Sequence, residues 1–182
     1  MGKIRVFTGT MFAGKTTRLI NIAEDLRLNH NCNYSVYRPQ VNIVNGIGAV
    51  LTHNHIALQA QPLQDPNILI NDPNKYIFID SFQNLPPLFV DLIEKLAIDQ
   101  DKEFYLFGTR TTTTGLFQET ACKMMSIADE IEILPSKCSK CGQPATYSVL
   151  KPGIKLEDDI NKIQGEKYEI LCKKCFHKLK LN

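Results

Sequence analysis

The eight residues Gly9-Thr-Met-Phe-Ala-Gly-Lys-Thr16 constrain this chain more tightly than any other stretch. They fit G-x-x-x-x-G-K-[ST] at every specified position. A short apolar, β-branched run, Ile4–Thr8, precedes them. A stretch from Lys15 to about Leu28 follows, with Leu19, Ile22, Ala23 and Leu26 at helical spacing. A strand that turns into a helix through glycines aims its backbone N–H groups and the positive end of the helix dipole at one small volume. Phosphate oxygens satisfy such a volume. Gly9, Thr10, Met11, Phe12, Ala13, Gly14, Lys15, Thr16 and Thr17 are therefore expected to hold nucleotide phosphates. Lys15 would neutralise the β- and γ-phosphates, and the Thr16 hydroxyl would ligate Mg²⁺. An ordinary strand–turn–helix with incidental glycines explains the spacing, the Lys-Thr pair and the flanking elements much less well.

The same alternation of strand and helix continues downstream. Tyr34–Tyr37 reads as a strand stopped by Arg38-Pro39, and residues 40–75 as loops and small strands. Lys75–Asp80 is a strand ending in an acid, the position from which a carboxylate holds Mg²⁺ beside a phosphate loop. Pro86-Pro87 opens a helix carrying Leu88, Val90, Leu92, Ile93 and Leu96. Glu103–Phe107 is a further buried strand, Phe117–Ala128 a helix and Ile131–Leu134 a closing strand. Repeated βα units predict an α/β fold, an open parallel sheet of the P-loop NTPase kind. Pro135 marks a boundary, giving residues 1–135 as the nucleotide-binding domain and 136–182 as a small second domain.

Composition narrows the classes further. With 182 residues, 43% hydrophobic and 22% charged, the chain is neither a disordered tail, nor a collagen-like fibre, nor a disulfide mini-protein. No window reaches the roughly 18 unbroken apolar residues of a membrane span. Met1–Phe7 lacks the apolar core of a secretory signal, so a cytoplasmic location is expected. The net charge is +2, and the lysines that follow Cys138 read as a solvated face. Nucleic acid is not an expected partner, which disfavours a zinc-ribbon ATPase acting on it.

Cys138-Ser-Lys-Cys141 and Cys172-Lys-Lys-Cys175 are two C-x-x-C knuckles. Together they supply four thiolates, the ligand set of a closed, structural zinc site. A redox pair accounts for one such motif but poorly for two. Cys32 and Cys122 lack partners and read as core or free thiols. His53 and His177 are left with no vacancy to fill.

The whole pattern resembles the zinc-containing type II thymidine kinases. Gly9–Thr16 is close to that family's G-x-M-x-[SA]-G-K-[ST], and Thr52-His53-Asn54 resembles its S-H-[ND]. Tyr105–Phe117 resembles Y-G-L-R-T-D-F-x-G-x-L-F through Gly108, Arg110, Thr111, Gly115, Leu116 and Phe117. Ile163-Gln164-Gly165 through Tyr168 resembles the I-G-G-x-x-x-Y lasso that encloses the nucleoside. The resemblance implies an ATP- and Mg²⁺-dependent kinase of thymidine or a related nucleoside, with structural zinc in a ribbon and lasso domain. It implies catalytic positions at Lys15, Asp80, Ser81 and Arg110, and Gln83 at the nucleotide. Phe82, Phe117, Ile163, Gln164, Gly165 and Tyr168 would face the nucleoside. It further implies dTTP as a feedback ligand and a homotetramer or homodimer.

Four active-centre positions depart from the family pattern. The family's D-E-x-Q-F reads Asp80-Ser81-Phe82-Gln83-Asn84, so serine stands where the resemblance places a general-base glutamate, and asparagine where a phenylalanine lies near the base. The D-F of the R-T-D-F stretch is lost within Thr111–Thr114. An aspartate–arginine pair expected after Arg38-Pro39 is not recognisable in Gln40-Val-Asn-Ile43. Losing a general base costs on the order of 10²–10⁴ in rate. Slow catalysis, with Glu119 or Asp65 as substitute base, is one expectation, and a catalytically impaired nucleotide-binding relative is the other.

Overall fold

A computed structural model describes residues 1–39, 48–51, 57–151, 153–154 and 167–180. Among the described residues, nine strands and five helices follow in chain order: β1 (Ile4–Thr8), α1 (Lys15–His30), β2 (Tyr34–Pro39), β3 (Gly48–Leu51), β4 (Ala57–Leu63), α2 (Pro66–Ile70) and β5 (Tyr76–Asp80). After a 3-10 turn at Phe82–Asn84 come α3 (Leu88–Asp99), β6 (Glu103–Gly108), α4 (Glu119–Ser126), β7 (Glu130–Ile133), β8 (Tyr147–Leu150), β9 (Tyr168–Leu171) and α5 (Lys173–Lys180). Seven strands form one sheet in the order β3-β4-β2-β5-β6-β1-β7. All pair in parallel except β3, which runs antiparallel along β4.

The central strands are apolar on both faces, as a parallel sheet covered on two sides requires. Their side chains alternate between two cores with period two. Ile4, Val6, Ile77, Ile79, Phe104 and Leu106 join Phe89, Ile93 and Met124 under α3 and α4. Phe7, Phe78, Tyr105 and Phe107 join Leu19, Ile20 and Ala23 of α1. On that second face the rings of Phe7 and Phe107 stack at 4.5 Å, and those of Phe78 and Tyr105 at 4.7 Å. The open parallel α/β sheet expected from the sequence is thus present.

Several boundaries shift by one to three residues, and three of the shifts have a local cause. Strand β2 continues through Arg38 and Pro39, pairing them with Pro62 and Leu63 of β4. Proline's fixed φ suits an extended backbone, and its missing N–H is tolerated at a strand's last residue. Helix α1 runs on to His30 and closes at Asn31, whose backbone is left-handed. Helix α4 starts at Glu119 rather than Phe117, because Gln118 is extended and Phe117 bridges back to Thr111.

After Ile133 the chain builds a separate antiparallel pair, β8 with β9, and then α5. Its own small core joins Cys138, Val149, Leu171, Cys172 and Phe176. The ring of Phe176 stacks on Tyr147 at 4.1 Å. Among the described residues, no helix is long and apolar enough to cross a membrane.

Candidate active site and metal centre

Parallel strands deliver their C-terminal ends to one edge of the sheet, where open α/β sheets bind ligands. Here that edge carries the Gly9–Thr16 loop after β1, Asp80 ending β5, Arg38 near the end of β2 and the segment after Gly108 of β6. Gly14 caps α1 in the left-handed region (φ 80°), and no side chain caps the helix. Its first N–H groups therefore have no partner within the helix and point outward from its start, as a ligand's anionic group requires. Gly9 is needed for space: a Cβ there would lie 2.9 Å from Ala13 Cβ and 3.0 Å from the Leu134 carbonyl oxygen.

Lys15 folds back over its own loop. Its Nζ donates to the carbonyls of Thr10 (2.6 Å) and Gly9 (3.3 Å). Burial lowers its pKa to about 8, against the opposing pull of the Asp80 carboxylate. Asp80 is buried, and burial raises its pKa while Arg38 and Lys15 draw it down. Its Oδ2 lies 3.7 Å from Arg38 Nε and 3.4 Å from Ser81 Oγ. A buried carboxylate flanked by two cations, at the same sheet edge as Thr16 in the first turn of α1, offers a hard oxygen donor of the kind that Mg²⁺ prefers. Arg38 was absent from the sequence-derived set. Its signal was position alone, a cation near the end of a parallel strand.

Ser81 turns the chain out of β5 with a left-handed backbone, φ 60°. The next residues are braced rather than open. Phe82 is fully buried in the larger core, and Gln83 Oε1 accepts the Thr109 N–H at 3.1 Å. A Cβ on Gly108 would sit 2.3 Å from Gln83 Oε1 and 2.8 Å from the Phe82 ring, so glycine lets the two segments close. Gln118 Nε2 donates to the Gln83 carbonyl at 3.2 Å. Arg110 follows β6, half-buried and, among the described residues, in no ion pair. Phe117 is 74% exposed and Tyr168, heading β9, is half-buried. Asp65 caps α2 by accepting the Asn67 N–H at 2.9 Å, and Glu119 pairs with Lys123 at 2.7 Å. Ile163, Gln164 and Gly165 lie outside the described residues, as do Thr52–Asn54 and residues 40–43.

The four cysteines of the two knuckles converge, with all four Sγ atoms within 4.8 Å of one another. Cys141 Sγ lies 3.6 Å from both Cys172 Sγ and Cys175 Sγ. Zn–S bonds of about 2.3 Å in a tetrahedron put sulfurs about 3.8 Å apart, so this set fits zinc and leaves no open position for catalysis. The Cys175 N–H donates to Cys172 Sγ at 3.4 Å and favours its thiolate, the form that binds metal. Cys32 is half-buried and Cys122 exposed, and both are free thiols away from this set.

The phosphate loop and the cysteine lobe also touch. The Met11 N–H donates to Ser148 Oγ at 2.7 Å, and the Thr10 hydroxyl to Ser136 Oγ at 2.7 Å. Neither serine stood out in the sequence, because an isolated serine carries no spacing signal.

Comparison with known families settles the lineage. A family model described as thymidine kinase matches residues 2–176. This chain belongs to the thymidine kinase family. Among curated relatives, the thymidine kinase of Pseudothermotoga lettingae is 28% identical, over 98% of this chain and 96% of its own length. That of a Rhodothermus species is 26% identical over 97% of this chain and 82% of its own. That of Bacteroides fragilis is 24% identical over 97% and 88%. The family includes kinases that span the same length as this chain. Its phosphate loop and cysteine knuckles thus lie in a chain matched almost end to end.

Proposed function

We propose that this family member transfers the γ-phosphate of ATP to the 5′-hydroxyl of thymidine or a related nucleoside. The observation that carries the reading is the convergence of the Gly9–Thr16 loop, Lys15 and the buried Asp80 at one sheet edge. The names of its relatives supply the nucleoside class. Thr16 and Asp80 would hold Mg²⁺, which when bound would neutralise phosphate charge. The loop N–H groups orient the phosphates. Lys15 leaves the Thr10 and Gly9 carbonyls to meet them, and Arg110 orders the acceptor side. Phe117, Tyr168 and the 163–165 segment enclose the nucleoside, while Gln83 braces the loop beside the nucleotide. Residues 1–135 act as the nucleotide-binding unit and 136–182 as the zinc and lasso unit, in a cytoplasmic homotetramer or homodimer with dTTP as feedback ligand.

A second reading has its own support. Ser81 has no carboxylate, and its hydroxyl is directed to Asp80 Oδ2. A hydroxyl has no basic form accessible near pH 7 and cannot take the proton of the acceptor hydroxyl. On this reading the protein binds nucleotide and turns over slowly. Coupled ADP release, measured with and without thymidine, separates the two. Thymidine-dependent release at roughly 1–100 per second supports the kinase. Release independent of thymidine, or none despite nucleotide binding, rejects it.

A further inference from the structure

Two hydroxyl groups enter the phosphate loop from the cysteine lobe, and the chemistry above does not use them. Ser148 Oγ accepts the Met11 N–H at 2.7 Å, and Ser136 Oγ accepts the Thr10 hydroxyl at 2.7 Å. Ser148 and Thr10 are both buried, 8% and 4% exposed, so water competes poorly for either bond. The Thr10 carbonyl is also where the Lys15 ammonium rests, at 2.6 Å. Both serines are themselves held by backbone next to the zinc ligands. Ser148 on β8 lies opposite Ile170 on β9, two residues before Cys172. Ser136 stands two residues before Cys138, and its carbonyl accepts the Ala145 N–H at 2.9 Å.

We propose that Ser148 and Ser136 are positioning residues that clasp the phosphate loop in its binding shape. Nucleotide affinity on one lobe then depends on side chains set by the metal centre of the other. A loop with two glycines has much freedom to lose on ordering. Fixing it before the ligand arrives removes part of that cost from binding. A metal held by Cys138, Cys141, Cys172 and Cys175 would thus support the loop at a distance, through the two serine hydrogen bonds.

This inference rests on the nucleotide-binding reading, and calorimetry with Mg·ADP tests the two separately. Wild type, Ser148→Ala, Ser148→Thr and Ser136→Ala are compared, each with its zinc content and melting temperature measured. Loss of one such hydrogen bond is expected to weaken Mg·ADP about tenfold in Ser148→Ala, with zinc unchanged. Ser148→Thr, which keeps the hydroxyl, should restore affinity, and Ser136→Ala should lose several-fold. A folded, zinc-loaded Ser148→Ala with wild-type affinity overturns the clasp. Should Ser148→Ala not fold, unchanged affinity in Ser136→Ala overturns it equally. A wild type that does not bind Mg·ADP overturns the nucleotide reading, and the clasp with it.

Discussion

Lys15 stays protonated in a poor setting for charge, and that setting has a measurable pH signature. Its pKa falls from 10.5 to about 8 because burial disfavours the ammonium. Between those values the unfolded chain holds a proton that the native protein has released, so native stability rises with pH across that window. The gain is about 2–3 kcal/mol. Urea unfolding without added magnesium or chelator at pH 7.5 and 10 should show wild type gaining on Lys15→Met by that amount. Equal shifts in both proteins would contradict the burial argument. Ser81 sets a second test at this scale. It sits in the left-handed region, where the turn after β5 carries the chain toward the exposed Asn84. Restoring a carboxylate and an aromatic together, Ser81→Glu with Asn84→Phe, should raise thymidine-dependent ADP release about 10²-fold. A double variant that binds thymidine without any gain shows that a missing base is not what limits this protein.

At the level of elements, the loop between β6 and α4 is fastened at both ends. Gln83 holds its start through the Thr109 N–H, and Gly115 lets its far side reach α5 of the cysteine lobe. Gly115 has φ +77°, and a Cβ there would lie 2.2 Å from Phe176 Cζ. Gly115→Ala therefore combines left-handed strain with overpacking against a ring that already stacks on Tyr147. A loss of about 2–4 kcal/mol is expected in chemical denaturation. Hydrogen exchange should speed up first in α5 and in residues 109–117. Uniform exchange across the sheet instead would show that this contact does not hold the two elements together.

For the molecule as a whole, the sheet and the cysteine lobe differ greatly in what sustains them. The sheet buries two apolar layers, whereas among the described residues the lobe after Ile133 packs one cluster of five buried side chains, two of them cysteines. So small a core would gain its stability from a bound metal, since the free energy of zinc binding at such a site is folding free energy. Protein purified without added metal should contain about one zinc per chain. Chelation should open the 136–180 region to protease while the sheet's circular dichroism persists. A disulfide among Cys138, Cys141, Cys172 and Cys175 in a reducing preparation, or protease resistance after chelation, would refute this division.

The sequence by itself determined the features whose physics is local. Gly9–Thr16 forms a strand-to-helix turn of phosphate-loop pattern because glycine conformations and a helix start lie within eight residues. The strands at Ile4–Thr8, Tyr76–Asp80 and Glu103–Gly108 were legible because burial on both faces leaves a short, mostly apolar run. Each C-x-x-C knuckle shows two ligands at fixed spacing. Their convergence into one four-sulfur set needed β8 to pair with β9, which a pattern suggests and only folding enacts. Other features were decided in tertiary structure alone. Arg38 meets Asp80 because β2 lies beside β5, though they are far apart in sequence. Ser136 and Ser148 reach Thr10 and Met11 across more than a hundred residues. Phe82 is withdrawn into the core because Gly108 lets its segment close on β6. Such contacts depend on strand order and lobe docking, and no spacing along the chain encodes the distance between side chains brought together by a sheet.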